Sequence, residues 1–169
     1  MIWVSPLSKL DSTIKATGST RLVTLLRHGT PFDRPAAIGA DNHLLLHMHD
    51  IVEEAADMVA PAREHVERLI AFGRGWNRQK PLLIHCFAGV SRSTAAAYIV
   101  AAALTPSRDE ADLARLLRRS SPTATPNIRL VALADALLAR DGRMVAAIEA
   151  IGRGADCFEG APFALPLDE

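Results

Sequence analysis

The chain has little from which a disulfide scaffold, a membrane span or a one-signed surface could be built. Only two of its 169 residues are cysteines, Cys86 and Cys157. Two are too few to staple a secreted domain, so burial must hold the fold and a reducing cytoplasm is the expected compartment. No basic segment followed by an apolar signal core stands at the N-terminus. The longest apolar run, Thr94 to Leu104, is about half of the roughly 20 residues a membrane span needs and reads as a buried helix. Nineteen basic residues offset nineteen acidic ones, which excludes a global field that would draw the protein onto nucleic acid or an anionic membrane. Any anion must therefore be held by a local site. What is present, 49% hydrophobic and 22% charged residues, is the composition of an ordinary soluble globular protein, and the length suits a single domain over residues 1–169 with one core.

Three short apolar runs bounded by Gly, Pro or Asp read as strands: Arg21 to Leu26, His43 to His49 and Leu82 to His85, with Met1 to Val4 as a fourth. Between the second and third, Val59, Val66, Leu69, Ile70 and Gly73 recur at helical spacing in a stretch that begins near Pro61. Alternating strand and helix implies an α/β domain with a mostly parallel central sheet of about four strands flanked by helices. The C-terminal half reads as helical packing. Ser107 and Glu110 give a capping-box spacing ahead of a helix whose last turn holds Arg118 and Arg119. A second apolar face follows Pro126, from Leu130 to Leu138, and a third runs from Met144 to Ile151, stopped by Gly152 and Gly154. Residues 155–169 show no period and are expected to be an irregular tail.

The segment "PLLIHCFAGVSRSTAAAYIVAAAL" sets Cys86 between a strand and a helix that begins near Ser93. Phe87 to Arg92 is then a tight turn at the C-terminal edge of the sheet, where open parallel sheets bind ligands. The N–H groups of Phe87, Ala88, Gly89, Val90, Ser91 and Arg92, with those opening the helix, can converge on a phosphate. A helix N-terminus and Arg92 both favour the thiolate of Cys86. Arg92 can return to the cavity and grip two phosphate oxygens. Ser93 places a hydroxyl near the sulfur. "HCFAGVSRST" resembles the signature loop of the cysteine-dependent protein tyrosine and dual-specificity phosphatases, His-Cys, five residues, then Arg and Ser or Thr, and "AGVSRS" is closer to the dual-specificity branch. The resemblance extends from about Arg21 to Leu138 and includes the Pro126-Asn127 pair before a helix. It implies that Cys86 is the nucleophile, that Arg92 binds the substrate phosphate, and that Ser93 helps a phosphocysteine intermediate collapse. It implies no cofactor and no metal.

The same resemblance implies a general acid, an Asp on a separate loop some thirty-odd residues before the cysteine. Asp50 follows the strand "HLLLHMH" and emerges at the same sheet edge as Cys86; Asp57 is the alternative, lying further towards the crossover helix. A different mechanism is suggested by "LLRHGTP". Arg27-His28-Gly29 after an N-terminal strand resembles the histidine phosphatase signature, in which His28 would be phosphorylated, although a three-residue match arises easily by chance. His43, His47 and His49 with Asp50 raise a metal site, but further ligands at recognisable spacing are lacking. Arg118, Arg119 and Arg129 read as helix-end and solvated charges.

The expected function is hydrolysis of a phosphomonoester on a phosphorylated protein or small phosphoester, phosphotyrosine first, with no nucleic acid or membrane partner. The alternatives are the His28 mechanism and a phosphate-binding module without turnover.

Overall fold

A computed structural model describes residues 1–167. Its five strands are β1 (Ile2–Pro6), β2 (Arg21–Leu26), β3 (His43–His47), β4 (Leu82–Cys86) and β5 (Phe163–Leu165), joined in one sheet in the order β3-β2-β4-β1-β5. The first four run parallel, with Ile2 level with Leu82, Arg21 with Leu82 and Leu22 with His43. β5 lies antiparallel on the outer edge of β1. The sheet is therefore mixed, and part of the expected irregular tail is a strand. Only Phe163 and Leu165 of its three residues turn inward, too short a run to show a period of two.

β4 is buried at every position and β2 at all but its first, as expected of strands covered on both faces. Alternate residues face opposite layers. Val23 and Ile84 join the main core, whereas Leu22 and Leu83 pack with Leu10, Ile14 and Ile38 on the other side. That second layer is α1 (Leu10–Thr17), whose short, Ser- and Thr-containing sequence gives little helical signal.

The main layer holds α2 (Arg63–Arg74), α3 (Arg92–Leu104), α4 (Glu110–Ser120), α5 (Ile128–Leu137) and α6 (Arg143–Ile151). Val66, Leu69, Ile70 and Gly73 form the buried face of α2 as the periodicity predicts, but Val59 is exposed and precedes the helix. It instead closes a loop: the His49 N–H donates to the Val59 carbonyl and the Val59 N–H to His49 Nδ1. α3 passes through the centre of the layer and is buried from Arg92 to Ala102. Its small residues let α2, α4 and α5 approach from several sides.

The cap of α4 differs from the expected capping box. Ser107 lies within a turn closed by the Arg108 N–H on the Thr105 carbonyl, with Pro106 at the position where a fixed φ suits it. Asp109 is the cap, accepting from the Ala111 and Asp112 N–H groups. Glu110 turns inward and pairs with Arg140 at 2.8 Å and Arg143 at 3.3 Å. Asp135 accepts the Gly142 and Met144 N–H groups. Together these contacts tie α4 and α5 to the start of α6.

Between the layers, Thr24 Oγ1 bridges His85 Nε2 at 2.8 Å and His43 Nε2 at 2.9 Å across three neighbouring strands. One hydroxyl proton can serve only one of the two rings, so the other must present an N–H. Burial drives the His85 pKa down from 6.5 to about 4, and the ring stays neutral at physiological pH. The unfolded chain takes up this proton near pH 6.5 and the folded chain only near pH 4. The stability owed to neutral His85 is thus complete above pH 6.5, declines through that window and is lost below it. The loss amounts to roughly 3 kcal/mol. Urea unfolding at pH 7 and pH 4.5 should show that decline in the wild type and a shallower one in His85→Gln; equal slopes would contradict it.

Candidate active site

Cys86 ends β4 and Arg92 opens α3, so the five residues between them turn the chain from strand to helix. The turn closes through Gly89, at φ +68°, beside the end of β1. A side chain there would place its Cβ 2.7 Å from the Pro6 nitrogen. Only glycine meets both demands.

The carbonyl groups of this loop point outward. The Phe87 carbonyl accepts from the Leu7 N–H at 3.1 Å, Ala88 from Gly160 at 2.8 Å, Val90 from Thr125 at 2.9 Å and Ser91 from Asn127 at 3.2 Å. The peptide units are thereby fixed with their opposite ends inward. The N–H groups in those four peptide units are those of Ala88, Gly89, Ser91 and Arg92; the Ala88 and Ser91 N–H groups have no acceptor among the described residues, and the Gly89 N–H reaches Cys86 Sγ at 3.3 Å. The result is a concave set of donors beneath the N-terminus of a 13-residue helix, the arrangement that suits a tetrahedral oxyanion.

The sulfur lies at the base of this cradle. Ser93 Oγ is 3.0 Å from Cys86 Sγ, and both side chains are buried. Arg92 is nearly buried as well. Its Nη1 donates to the Met48 carbonyl at 2.9 Å, and its Nε is buried without a protein partner. The guanidinium is thus anchored through one nitrogen and keeps an unused donor, and Arg92 lines a cavity beside the loop. A buried unpaired N–H is costly, and a bound anion would remove that cost.

Asp50 comes to the same edge from the loop after β3. Its Oδ1 accepts from Ser91 Oγ at 2.7 Å and from Asn127 Nδ2 at 2.9 Å. Asn127 also caps α5, its Oδ1 accepting the Leu130 N–H. One amide therefore links a helix start to the aspartate. Arg129 clamps the rest of the loop, with Nε on the Pro61 carbonyl at 2.7 Å, Nη1 on Val52 at 3.2 Å and Nη2 on Glu54 at 3.1 Å. It is not the freely solvated charge the sequence suggested. Nor is Arg118, whose guanidinium binds the carbonyls of Ala124, Ile151 and Gly152. Asp57 has no hydrogen bond or ion pair to the Cys86 loop among the described residues, and it stands at φ +61° in the exposed turn.

The three histidines of the β3 segment have separate tasks. His43 meets Thr24, His47 stacks on His28 with ring centroids 4.6 Å apart, and His49 holds the base of the Asp50 loop. His28 is exposed, and no hydrogen bond among the described residues fixes it to the cradle. Cys157 is exposed, outside the cradle.

Two cavities open on this edge. One, of about 550 Å³, adjoins Asp50 and Ser91 and is walled by Val52, Pro126, Ile128 and Ile148. The other, of about 330 Å³, lies on the opposite side of the loop between Arg92, Phe87 and the turn after β2.

No family model and no curated protein matches the sequence. Solved structures do match. DUSP15 superposes with a TM-score of 0.57 at 18% identity, covering 88% of this chain and 90% of its own. PTP-2 phosphatase of Cydia pomonella gives 0.57 at 22% identity, covering 80% and 84%. A mouse dual-specificity phosphatase gives 0.56 at 18%, covering 80% and 79%. At such identities it is the chain path that is shared. These superpositions place the chain in the fold of the dual-specificity and tyrosine phosphatases.

Proposed function

We propose that the protein hydrolyses phosphomonoesters through a phosphocysteine intermediate, as a protein-tyrosine or dual-specificity phosphatase. The observation that carries this reading is the Cys86 thiol at the base of a ring of inward N–H groups, with the buried, unpaired Nε of Arg92 beside it.

A substrate phosphate would take the loop donors and the free edge of Arg92 as its hydrogen-bond partners. The thiolate of Cys86 attacks phosphorus, a P–S bond forms and the P–O bond to the leaving group breaks. Asp50 gives its proton to the departing oxygen. In the second step water attacks the phosphocysteine and returns its proton to Asp50, and the P–S bond breaks as Ser93 donates a hydrogen bond to the leaving sulfur. Inorganic phosphate, a free thiolate and a protonated Asp50 are regenerated. The fixed donors and Arg92 meet charge as it spreads over the equatorial oxygens, the main source of catalysis in such transfers. The aspartate assignment is supported by its two hydrogen bonds to Ser91 and Asn127, which hold it over the loop.

Phosphotyrosine is the first choice of substrate. The leaving group must lie on the Asp50 side, and the cavity there, walled by Val52, Pro126, Ile128 and Ile148, offers an apolar surface to an aromatic ring.

Cys86→Ser should lower turnover of a phosphotyrosyl peptide by at least about 10³-fold while vanadate still binds, because the donors remain. His28→Ala should retain most activity. Steady-state rates with calorimetric titration of vanadate check both, and loss of turnover confined to the His28 variant would assign the chemistry to that residue.

General acid catalysis is worth roughly 10²–10⁴-fold and matters most for basic leaving groups. Asp50→Asn should therefore cut tyrosyl phosphate hydrolysis within that range and affect activated aryl phosphates far less. Single-turnover rates plotted against leaving-group pKa for wild type, Asp50→Asn and Asp57→Asn test this. A steepened dependence in Asp57→Asn alone would transfer the role.

A further inference from the structure

We propose that Arg27 forms a second anion subsite beside the Cys86 cradle, selecting phosphoprotein substrates that carry an acidic side chain next to the phosphorylated residue. The proposal rests on the phosphocysteine reading in that the scissile phosphate must lie at Arg92 for Arg27 to meet its neighbour.

β2 adjoins β4 in parallel register, with Thr24 level with His85. Arg27, three residues on, leaves the sheet beside the Cys86 loop, whose Phe87 and Arg92 line the same cavity. There the chain turns sharply: the Thr30 N–H bonds the Arg27 carbonyl and Gly29 adopts φ +83°, a conformation disfavoured for other residues. His28 stacks on His47, which sets the turn against β3. The turn and the Cys86 loop enclose the 330 Å³ cavity, whose walls are Arg27, Gly29, Thr30, Pro31, Phe87 and Arg92.

Both ionised groups of this wall are arginines, and no carboxylate faces them. Arg92 is anchored to the Met48 carbonyl. Arg27 is exposed, and no hydrogen bond or ion pair among the described residues engages its guanidinium. Arg21, Arg118, Arg129 and Arg140, by contrast, each spend their donors on backbone carbonyls. Arg27 thus keeps a free planar fork of donors, the geometry suited to a carboxylate or phosphate. A phosphate at Arg92 fills one end of the cavity. The other end then offers a lone cation to the next anionic group of the same substrate, while Asp50 stands on the far side of the loop and leaves this end uncompensated. Exposed Phe87 lines the same cavity.

Two phosphotyrosyl peptides, identical except that Glu or Gln flanks the phosphorylated residue on both sides, provide the test. In the wild type kcat/KM should favour the Glu peptide by roughly three- to tenfold, the range of a partly exposed charge-assisted contact. The ratio should fall to near one in Arg27→Gln and recover in part in Arg27→Lys. A merely structural role would slow both peptides together and keep the ratio. No preference in the wild type, or an unchanged preference in Arg27→Gln, would overturn the proposal. If the wild type hydrolyses neither peptide, the phosphocysteine reading falls instead, and calorimetry on Cys86→Ser decides the subsite. Tighter binding of the Glu peptide, lost in Cys86→Ser with Arg27→Gln, supports it; equal binding overturns it.

Discussion

The site depends on how closely the Cys86 loop can approach the end of β1. Gly89 lies where a Cβ would fall 2.7 Å from the Pro6 nitrogen and 2.9 Å from the Ser5 carbonyl carbon. That approach lets five residues join the central strand to the central helix. Once the loop is seated, its carbonyl groups meet Leu7, Gly160, Thr125 and Asn127 from three different segments, and the outward pull on each carbonyl turns a peptide N–H inward. The cradle is thus imposed from outside. The N-terminal strand, the α4–α5 connection and the C-terminal tail each supply a donor, so residues remote in sequence and without chemistry of their own fix the position of the donors around Cys86.

A second constraint positions Asp50. Asp50 sits in a loop closed at its base by His49 and Val59 and spanned by Arg129. Its own contacts are to Ser91, inside the Cys86 loop, and Asn127, which starts α5. Movement of any of these three elements would be felt at the carboxylate, which links packing of the helical layer to the geometry of the site. Stabilisation here comes from many charge-assisted and backbone hydrogen bonds, each modest in net terms, arranged so that few buried polar groups are left over. The Nε atoms of Arg21, Arg92, Arg108 and Arg118 are among the exceptions, and that of Arg92 is the one beside the Cys86 loop.

Much of this was legible in the sequence because it was local. The runs at Arg21, His43 and Leu82 are strands, and the spacing of Cys86, Gly89, Arg92 and Ser93 reads directly as strand, turn and helix. Five features were not. β5 is three residues long and is a strand only because β1 offers an unpaired edge. α1 has weak propensity and exists by packing Leu10 and Ile14 under the sheet. Asp109 displaced Ser107 as a cap because Pro106 commits the preceding residues to a turn. Arg118 and Arg129 look like surface charges in sequence, since their acceptors are backbone carbonyls that carry no residue signature. The pairing of Asp50 with Asn127 spans the fold in the same way: the asparagine is readable as a helix cap, but its free amide finds a partner only in three dimensions.

The central claim, that the sulfur of Cys86 accepts the phosphoryl group, is tested most directly by trapping it. A phosphotyrosyl peptide mixed with the wild-type protein and denatured within a single turnover, followed by peptide mapping, should find the phosphoryl group on the peptide that contains Cys86. A phosphoryl group on His28, or turnover with no covalent intermediate at any mixing time, would contradict it.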